Sequence, residues 1–501
     1  MTKAVVIGSG IAGVVAAAHL LKEGIEVTVF ERSHAAGGVW LFDERVPREP
    51  DYSASKPSQG DNFVTSAYLS DQNPGKNIDD IDLLHAPPGP CYFGLSNNVG
   101  TRLLATKLGP FPEGTPDFVK HHVLCQYIQD TSEKSGVKAV THFRTRVEDA
   151  KKVGQTWHVK TSTIQDPKAG QPSFVEEDWE FDTVIVASGH YHAPQLPNLP
   201  GLNVAKNLWP NRIFHSKQYR RPEGFKDKTV LLVGAGVSAN DIAKEIGPFA
   251  NKIYQTQRQG KFDLSARMLP ANATRFGSIS SINVPKGLDK DGPDVSISSE
   301  DALPVKIQLE SGEILCNIDY IILCTGYLFA LPFLKNLHND DLAPQDADDE
   351  VLVTDGRQIH NLHKDIFYMP DPSLIFIGIP FFTATFSLFD FQAVAIAAFV
   401  AGKVPLPSQD AMRDEYRKRL EVKGYGKPFH SLRDQEEEYV IELLGWINPS
   451  IVALGQSAVQ GHSQTWLEGK AEQRERIKLL LGLGSEDEVT VESPRVVPVC
   501  S

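Results

Sequence analysis

Two glycine-rich turns of one design, at Gly8–Gly13 and Gly234–Ala239, constrain this chain more than any other feature of its sequence. The first unit is predicted to be strand Lys3–Ile7, helix Val14–Lys22 and strand Glu26–Phe30, and the second turn also follows an apolar run and opens a helical pattern. A strand, a G-x-G-x-x-G/A turn and a helix form the dinucleotide-binding unit of a doubly wound sheet. The sequence therefore predicts an α/β fold with two Rossmann-like dinucleotide-binding domains.

The first turn has the features of a flavin adenine dinucleotide (FAD) site. Gly8 permits the tight bend, Gly10 lets a pyrophosphate approach the backbone, and Gly13 lets the helix pack closely on the strand. The helix N-terminus offers N–H donors to the pyrophosphate. Glu31, eighteen residues beyond Gly13, can accept ribose hydroxyls and would repel a 2′-phosphate. The glycine pair within Ala35–Trp40 is typical of flavoproteins, so this site is predicted to bind FAD.

The second turn favours a different dinucleotide. It carries Gly234 and Gly236 with Ala239 in third place, and the strand KIYQTQR ends in Arg258, nineteen residues beyond Ala239. A guanidinium can hold a 2′-phosphate through charge-assisted hydrogen bonds, which favours NADPH over NADH. The alternative is a surface arginine without a ligand. Two such sites imply that hydride passes from NADPH to the flavin.

Composition narrows the classes of protein to which this chain could belong, and with them the possible electron acceptors. The five cysteines have no CxxC spacing, so a disulfide reductase is not indicated. The net charge of −13 disfavours nucleic acid as a partner. Scattered cysteines, no signal peptide and no spanning segment predict a cytoplasmic protein. A monooxygenase, a diaphorase or oxidase, and a catalytically silent nucleotide-binding module remain.

Motifs in a fixed order extend over nearly the whole chain. Besides the two turns they are GGVW, YFGLSNN at Tyr92–Asn98, ASGHYHAPQLPNLPG from Ala187, WPNRIFHSKQY at Trp209–Tyr219, CTGY at Cys324–Tyr327, and PSLIFIGIP and SLFDFQA within Pro372–Ala393. Through these motifs the chain resembles the class B flavin-containing monooxygenases. The resemblance implies NADPH- and dioxygen-dependent oxygenation of a small molecule through a C4a-hydroperoxyflavin.

The family's F-x-G-x-x-x-H fingerprint helps to choose a branch. Here Trp209 and Asn211 replace the Phe and Gly, while His215 is kept. Tyr219 stands where Baeyer–Villiger relatives typically carry Trp, which points to oxygenation of a nucleophilic nitrogen or sulfur atom. A Baeyer–Villiger monooxygenase acting on a ketone and an uncoupled NADPH oxidase are the alternatives.

The resemblance also assigns residues to the site. Asn98 is the predicted catalytic residue, because an amide beside the flavin can donate a hydrogen bond without releasing a proton. The predicted FAD contacts are Gly8, Gly10, Ile11, Ala12, Gly13, Glu31, Arg32, Gly38, Val39, Trp40, Asn97, Val147 and Gln392. The predicted NADPH contacts are Ser216, Tyr219, Gly234, Gly236, Ser238, Ala239 and Arg258. No metal ligands are expected.

The predicted domain plan is discontinuous. Residues 1–205 and 327–460 form the FAD-binding domain, and residues 206–326 form an inserted NADPH-binding domain. Residues 461–501 are a C-terminal helix and tail, poorly ordered from 482 onward. Residues 41–90, rich in Asp, Ser, Pro and Gly, are expected to be an irregular excursion that shapes access to the flavin. The family resemblance allows a homodimer.

Overall fold

The computed structural model describes residues 2–50, 52, 56–60, 78–165, 173–258, 260, 262–285, 298 and 301–481. The chain divides into two compact units. Unit 1 contains residues 1–48, 56–193 and 328–470, and unit 2 contains residues 49–55, 194–327 and the segment from 471 onward. The predicted excursion therefore contributes to both units, but its residues 61–77 and the tail 482–501 lie outside the described residues.

Unit 1 is built on a seven-stranded sheet. Its strands, in spatial order, are Leu362–His363, Phe367–Tyr368, Leu374–Phe376, Thr183–Val186, Lys3–Ile7, Glu26–Phe30 and Thr141–His142. The strands from Leu374–Phe376 to Thr141–His142 pair in parallel, and the first two pair antiparallel at one edge. The predicted strands Lys3–Ile7 and Glu26–Phe30 are confirmed, and the first helix begins three residues earlier than expected, at Ile11.

Alternate side chains of strand Lys3–Ile7 are buried in two different hydrophobic cores, one on each face of the sheet. Ala4 and Val6 pack with helices, including Ile11–Lys22 and Thr385–Val400. Val5 and Ile7 pack on the opposite face, against residues of an antiparallel sheet of strands Thr145–Val153, Thr156–Gln165 and Ser173–Phe181. Because both faces of the parallel sheet are covered, its strands are near-continuous apolar runs.

Helix Ile11–Lys22 is joined to helix Thr385–Val400 by a polar contact as well as by apolar packing. The buried His19 imidazole bonds Asp390 of helix Thr385–Val400 through Nε2 at 2.7 Å. The second carboxylate oxygen of Asp390 accepts the backbone N–H of Lys107 at 2.7 Å. The flavin-type turn is thus supported by a helix that the chain reaches only after residue 384.

A second buried polar network lies in the C-terminal part of unit 1. The carboxylate of Asp365, which is fully buried, accepts from Arg419 Nη2 at 2.7 Å and pairs with His430 Nδ1 at 2.8 Å. His430 Nε2 accepts the backbone N–H of Ile359 at 3.0 Å, so the imidazole proton is on Nδ1 and the ring is neutral. Burial alone would raise the pKa of the Asp365 carboxyl, but the Arg419 charge and the hydrogen bonds from Arg419 and the neutral His430 hold it well below its usual range.

Unit 2 repeats the plan of a parallel sheet on a smaller scale. Its strands, in spatial order, are Ala273–Phe276, Lys252–Thr256, Thr229–Val233, Tyr320–Leu323 and Ile213–His215, all parallel, with helix Val237–Ile246 after the glycine-rich turn. Strands Ile279–Asn283, Lys306–Leu309 and Ile314–Leu315 form a small antiparallel sheet. The two parallel sheets confirm the predicted α/β fold class with two Rossmann-like units.

The remaining elements are mostly helical. They are helices Ile78–His85, Thr101–Leu104, His121–Lys134, Leu202–Leu208, Gln409–Lys423, Glu436–Ala453 and Gln464–Leu481, and the paired strands Ala193–Pro194 and Tyr327–Leu328. Helix Ile78–His85 lies in the stretch for which the sequence predicted irregular structure. Over the residues that the structure describes, no helix is both long enough and apolar enough to cross a membrane.

Candidate functional site

The glycines of the first turn are required for different reasons. A Cβ on Gly8, whose φ is +108°, would lie 2.6 Å from the carbonyl oxygen of Ala187. A Cβ on Gly13 would lie 1.9 Å from the carbonyl oxygen of Gly8. Gly10 is different, because the nearest atom to its Cβ would be Gly38 Cα at 3.4 Å. Gly8 and Gly13 are therefore required by packing inside the protein, whereas a Cβ on Gly10 would make only an ordinary contact with Gly38.

The polar groups of this turn suit a pyrophosphate. Helix Ile11–Lys22 starts after Gly10 without a side-chain cap, so its first N–H groups are available for an anion. The Ser9 hydroxyl is buried and has no hydrogen-bond partner among the described residues. A buried hydroxyl is nearly always paired in a native protein. The pyrophosphate of FAD would supply the missing acceptor, so the residues fit this cofactor.

Glu31 joins the turn to the second strand. Its carboxylate oxygens accept the backbone N–H groups of Ser9 at 2.7 Å and Ser33 at 2.8 Å, and the residue is buried. Each carboxylate oxygen has a second lone pair, which a ribose hydroxyl can use. The neighbouring Arg32 is within 2.8 Å of His192 through Nη2 and Nδ1. The structure thus brings Glu31 against the turn, as a ribose-binding residue requires.

The glycine pair after this strand packs on the turn itself. The Gly37 N–H donates to the Ser9 carbonyl oxygen at 3.1 Å, and Gly38 has a φ of +54°. A Cβ on Gly38 would lie 2.8 Å from Gly10 Cα, so the pair is needed for close backbone contact. Val39 and Trp40 follow, both half-buried, with the Trp40 ring edge-on to Phe386 at 6.3 Å.

Two other predicted FAD contacts lie inside unit 1. Gln392 is fully buried, with Oε1 accepting the Gly378 N–H at 3.1 Å and Nε2 donating to the Tyr439 hydroxyl at 2.8 Å. Gly378 has a φ of +85°, and its Cβ would lie 3.2 Å from Ala12 Cβ. Gln392 therefore positions Gly378 beside the helix start, a role that the sequence prediction missed. Val147 is buried in the core below the sheet.

Asn97 and Asn98 have opposite surroundings. The Asn97 amide donates to the carbonyl oxygens of Val99 and Asp117 and accepts the Val119 N–H, each at 2.7 Å. The Asn98 side chain is exposed and makes no hydrogen bond with the described residues. Asn97 thus fixes the turn, and Asn98 is the amide that remains available to a ligand. The sequence treated both as site residues and could not separate these roles.

The turn of unit 2 follows the same steric logic. Gly234 has a φ of +122°, and its Cβ would lie 2.5 Å from the Cys324 carbonyl oxygen. Among the described residues, no atom lies within 4 Å of the Cβ position of Gly236. Ala239 is fully buried where the helix packs on the sheet, Ser238 is half-buried, and Arg258 is exposed two residues beyond strand Lys252–Thr256. The open space beside Gly236 suits a second pyrophosphate.

The two other predicted NADPH contacts, Ser216 and Tyr219, differ in the hydrogen bonding of their hydroxyl groups. The Ser216 hydroxyl is buried and has no hydrogen-bond partner among the described residues, as expected of a group that awaits a ligand. Tyr219 is only 2% exposed, and its hydroxyl donates to Glu245 at 2.6 Å. The structure therefore places the Tyr219 side chain in the interior of unit 2, and its contact with NADPH stays a prediction.

A buried carboxylate from the predicted excursion holds the strand that precedes Ser216. Glu49 accepts hydrogen bonds from the Lys206 ammonium, from the His215 backbone N–H and, at 2.8 Å, from the Tyr52 hydroxyl. The His215 ring is fixed as well, because Nδ1 accepts the Lys217 N–H at 3.1 Å and Nε2 donates to the Gly326 carbonyl oxygen at 3.0 Å. No local pattern in the sequence indicated this Glu49 clamp.

Comparison with known proteins finds relatives over nearly the whole chain. The flavin-binding monooxygenase-like family model matches residues 91–272, and the NAD(P)-binding Rossmann-like domain model matches residues 6–60. The flavin-containing monooxygenase ustF2 of Aspergillus flavus is 46% identical over 496 residues, covering 95% of this chain and 98% of its own. The flavin-containing monooxygenase ustF1 of the same fungus is 36% identical over 466 residues, covering 92% and 87%.

Solved structures share the fold. S-allyl-L-cysteine S-oxygenase from Allium sativum superposes with a TM-score of 0.65 at 24% identity, covering 96% of this chain and 94% of its own. Tmm from a Pelagibacter strain superposes with a TM-score of 0.63 at 21% identity, covering 89% and 86%. At this level of identity the likeness concerns the fold alone.

Proposed function

The chain belongs to the flavin-containing monooxygenase family, and from this premise we propose that it oxygenates a nucleophilic nitrogen or sulfur atom of a small molecule. It is a flavin-dependent monooxygenase whose cofactors are FAD and NADPH. When bound and reduced by NADPH, FAD would supply the electrons that activate dioxygen, from which one oxygen atom would pass to the substrate and the other to water. A cytoplasmic location and a homodimer stay predictions.

The main support for oxygen transfer is the turn at Asn97 and Asn98. Three hydrogen bonds to the Asn97 amide fix this turn, and they leave the Asn98 amide exposed and without a partner among the described residues. An amide donates a hydrogen bond but carries no acidic proton at neutral pH. It can therefore orient an oxygen atom without protonating it, which favours transfer of that oxygen to substrate over release as hydrogen peroxide.

We propose that the two cofactors are divided between the two units. Unit 1 would hold FAD through the turn at Gly10, the unpaired Ser9 hydroxyl and Glu31. Unit 2 would hold NADPH through the turn at Gly236 and the unpaired Ser216 hydroxyl. The carboxylate of Glu31 would exclude a 2′-phosphate from the first site.

The choice of nitrogen or sulfur over a ketone rests on Tyr219, which stands at the position where Baeyer–Villiger relatives carry Trp. A dithiol reaction is disfavoured, because burial raises the pKa of the Cys125 thiol to about 11 and raises that of Cys324 as well.

The test is a product assay with the purified holoenzyme. A tertiary amine, a thioether and a ketone of the same carbon skeleton are each incubated with NADPH under ¹⁸O₂. NADPH consumption, hydrogen peroxide and labelled product are measured together. We expect one ¹⁸O atom in the amine oxide or sulfoxide and little peroxide. Ester formation from the ketone alone would establish the Baeyer–Villiger alternative, and peroxide equal to NADPH with every substrate would establish the oxidase.

A further inference from the structure

A second arginine of unit 2 has a donor group without an acceptor. Arg275 lies on strand Ala273–Phe276, directly opposite Gln255 of the neighbouring parallel strand. Its Nε donates to Gln255 Oε1 at 2.7 Å, and its Nη1 donates to the Leu264 carbonyl oxygen and lies 3.4 Å from Gln257 Oε1. Its Nη2 is buried and has no hydrogen-bond partner among the described residues.

These contacts place the guanidinium at the dinucleotide end of the sheet. The Leu264 N–H donates to the carbonyl oxygen of Ala235, inside the glycine-rich turn, at 2.8 Å. Gln257 directly precedes Arg258, just beyond the C-terminal end of strand Lys252–Thr256. In a Rossmann unit, the ribose of the adenosine half lies between this turn and this strand end.

The surroundings of Arg275 suit an anion. The guanidinium remains charged in proteins, and a buried N–H without an acceptor is unfavourable. The amide Nε2 of the fully buried Gln255 is a second unpaired donor. Burial lowers the pKa of Arg275, and the charge of Asp263 partly opposes this effect. The carboxylate of Asp263 itself accepts the Gly260 N–H at 2.9 Å.

We propose that Arg275 is a second determinant of NADPH specificity, which donates through Nη2 to the 2′-phosphate while Arg258 approaches the same group from the surface. The inference rests on the proposed function, in which unit 2 holds NADPH. It differs from the sequence prediction, which assigned the 2′-phosphate to Arg258 alone. The two arginines would flank the phosphate, one on an exposed segment and one fixed to the sheet by Gln255.

Calorimetric titration of the FAD-loaded protein with two fragments tests this inference. The fragments are 2′,5′-ADP, which carries the 2′-phosphate, and 5′-AMP, which lacks it. Arg275→Gln should weaken 2′,5′-ADP binding by about tenfold to a hundredfold, the range of a charge-assisted hydrogen-bond pair, and should leave 5′-AMP within about twofold. Asp263→Asn should strengthen 2′,5′-ADP binding by a few fold.

Two further variants separate charge, geometry and folding. Arg275→Lys keeps the positive charge but loses the planar, forked set of N–H donors of the guanidinium. We therefore expect an intermediate loss of affinity that is confined to 2′,5′-ADP. Lys252→Gln is the matched control, because it removes one positive charge from the opposite end of the neighbouring strand and should change neither affinity. If Arg275→Gln does not fold, Asp263→Asn and Arg275→Lys still test the inference.

The outcomes separate this inference from the proposed function. If the unaltered protein binds both fragments equally, the assignment of NADPH to unit 2 is wrong. If it prefers 2′,5′-ADP and Arg275→Gln keeps the preference, Arg275 is not a phosphate contact and the inference is wrong. An equal loss of both fragments in the arginine variants would show that Arg275 only supports the fold, which also overturns it.

Discussion

Alanine at Gly10 and alanine at Gly13 should fail in different ways, although both glycines belong to one turn. At Gly13 the added Cβ would lie 1.9 Å from the carbonyl oxygen of Gly8, which is 3.0 − 1.9 = 1.1 Å inside the distance that real Cβ atoms keep. The obstacle is backbone, so the helix must move away from the strand. At Gly10 the nearest atom would be 3.4 Å away, an ordinary contact.

These distances set the expected magnitudes. Gly13→Ala should cost roughly 1–3 kcal/mol or more of unfolding free energy, as overpacking of a rigid site does. Gly10→Ala should cost only about 0.5–1 kcal/mol, since alanine is a slightly poorer N-cap residue than glycine. Its Cβ, in ordinary contact with Gly38, would instead obstruct the close approach to the backbone that is proposed for the pyrophosphate. Gly10→Ala should therefore fold and bind FAD at least about tenfold more weakly, a loss of about 1.4 kcal/mol.

The assay compares apoprotein stability with flavin affinity. Urea denaturation of deflavinated protein gives the first quantity, and quenching of FAD fluorescence on titration with apoprotein gives the second. Gly236→Ala is the matched control, because no atom of the described residues lies within 4 Å of its Cβ position and it belongs to the other unit, so FAD affinity should not change. The reasoning is refuted if Gly10→Ala binds FAD normally, or if Gly13→Ala is as stable as the unaltered protein.

Three further predictions concern oxygen transfer, NADPH binding and stability. Asn98→Ala should keep NADPH-dependent flavin reduction but raise the ratio of hydrogen peroxide to oxygenated product severalfold. Glu49→Gln should raise the KM for NADPH with little change in kcat, because the strand before Ser216 loses a charged anchor. Asp365→Ala should lower the unfolding free energy by about 3–5 kcal/mol, since Arg419 keeps a charge in a largely buried site without its partner.

For each of these three predictions, one experimental outcome would contradict the reasoning. Unchanged coupling in Asn98→Ala, with peroxide and product in the original ratio, would remove Asn98 from oxygen transfer. For the Glu49 clamp, a fall in kcat at unchanged KM would contradict a role in NADPH binding, and Lys403→Gln serves as a control at the Lys403–Glu23 ion pair of unit 1. If chemical denaturation finds Asp365→Ala within about 1 kcal/mol of the unaltered protein, the buried network contributes little.

Stability should also depend on pH below neutrality. Burial lowers the pKa of His360 to about 4, whereas an unfolded histidine titrates near 6.5. Between these values the unfolded chain binds more protons, so stability is lost as pH falls through this window. Asp365 adds a further loss below about pH 4, because its folded pKa is depressed. Urea denaturation at pH 7, 5.5 and 4.5 should show a progressive fall, and a flat profile would contradict it.

The sequence predicted those parts of the site that depend on local backbone geometry. Gly8, Gly13 and Glu31 sit at fixed spacings because one strand, one turn and one helix determine where they lie. Polar contacts between distant segments have no such spacing. Nothing in the local sequence marks Glu49 as the partner of Lys206, since the two are joined only after the chain has folded.

The same limit applies within motifs, where the predicted cofactor contacts stay predictions. Asn97 and Asn98 are adjacent and chemically identical, and only the direction of each side chain separates the structural amide from the exposed one. Gln392 was predicted to contact FAD, while the structure shows both ends of its amide bonded to Gly378 and Tyr439. Helix Ile78–His85 was missed because it is short and lies in a stretch rich in Asp, Ser, Pro and Gly, although its Ile81 and Leu84 are buried.

Helix Ile11–Lys22 packs against helix Thr385–Val400. During synthesis, the packing of the first helix can therefore be completed only after the second helix has been made. The two helices are separated by 385 − 22 = 363 residues. At about 5–20 residues per second, a ribosome needs roughly 20–70 s to make the second after the first. During that time the apolar surface of Ile11–Lys22 is uncovered, whereas all five strands of the unit 2 parallel sheet have already emerged. The nascent chain should therefore depend on chaperones at its N-terminus, and loss of the residues from 385 onward should affect the flavin half first.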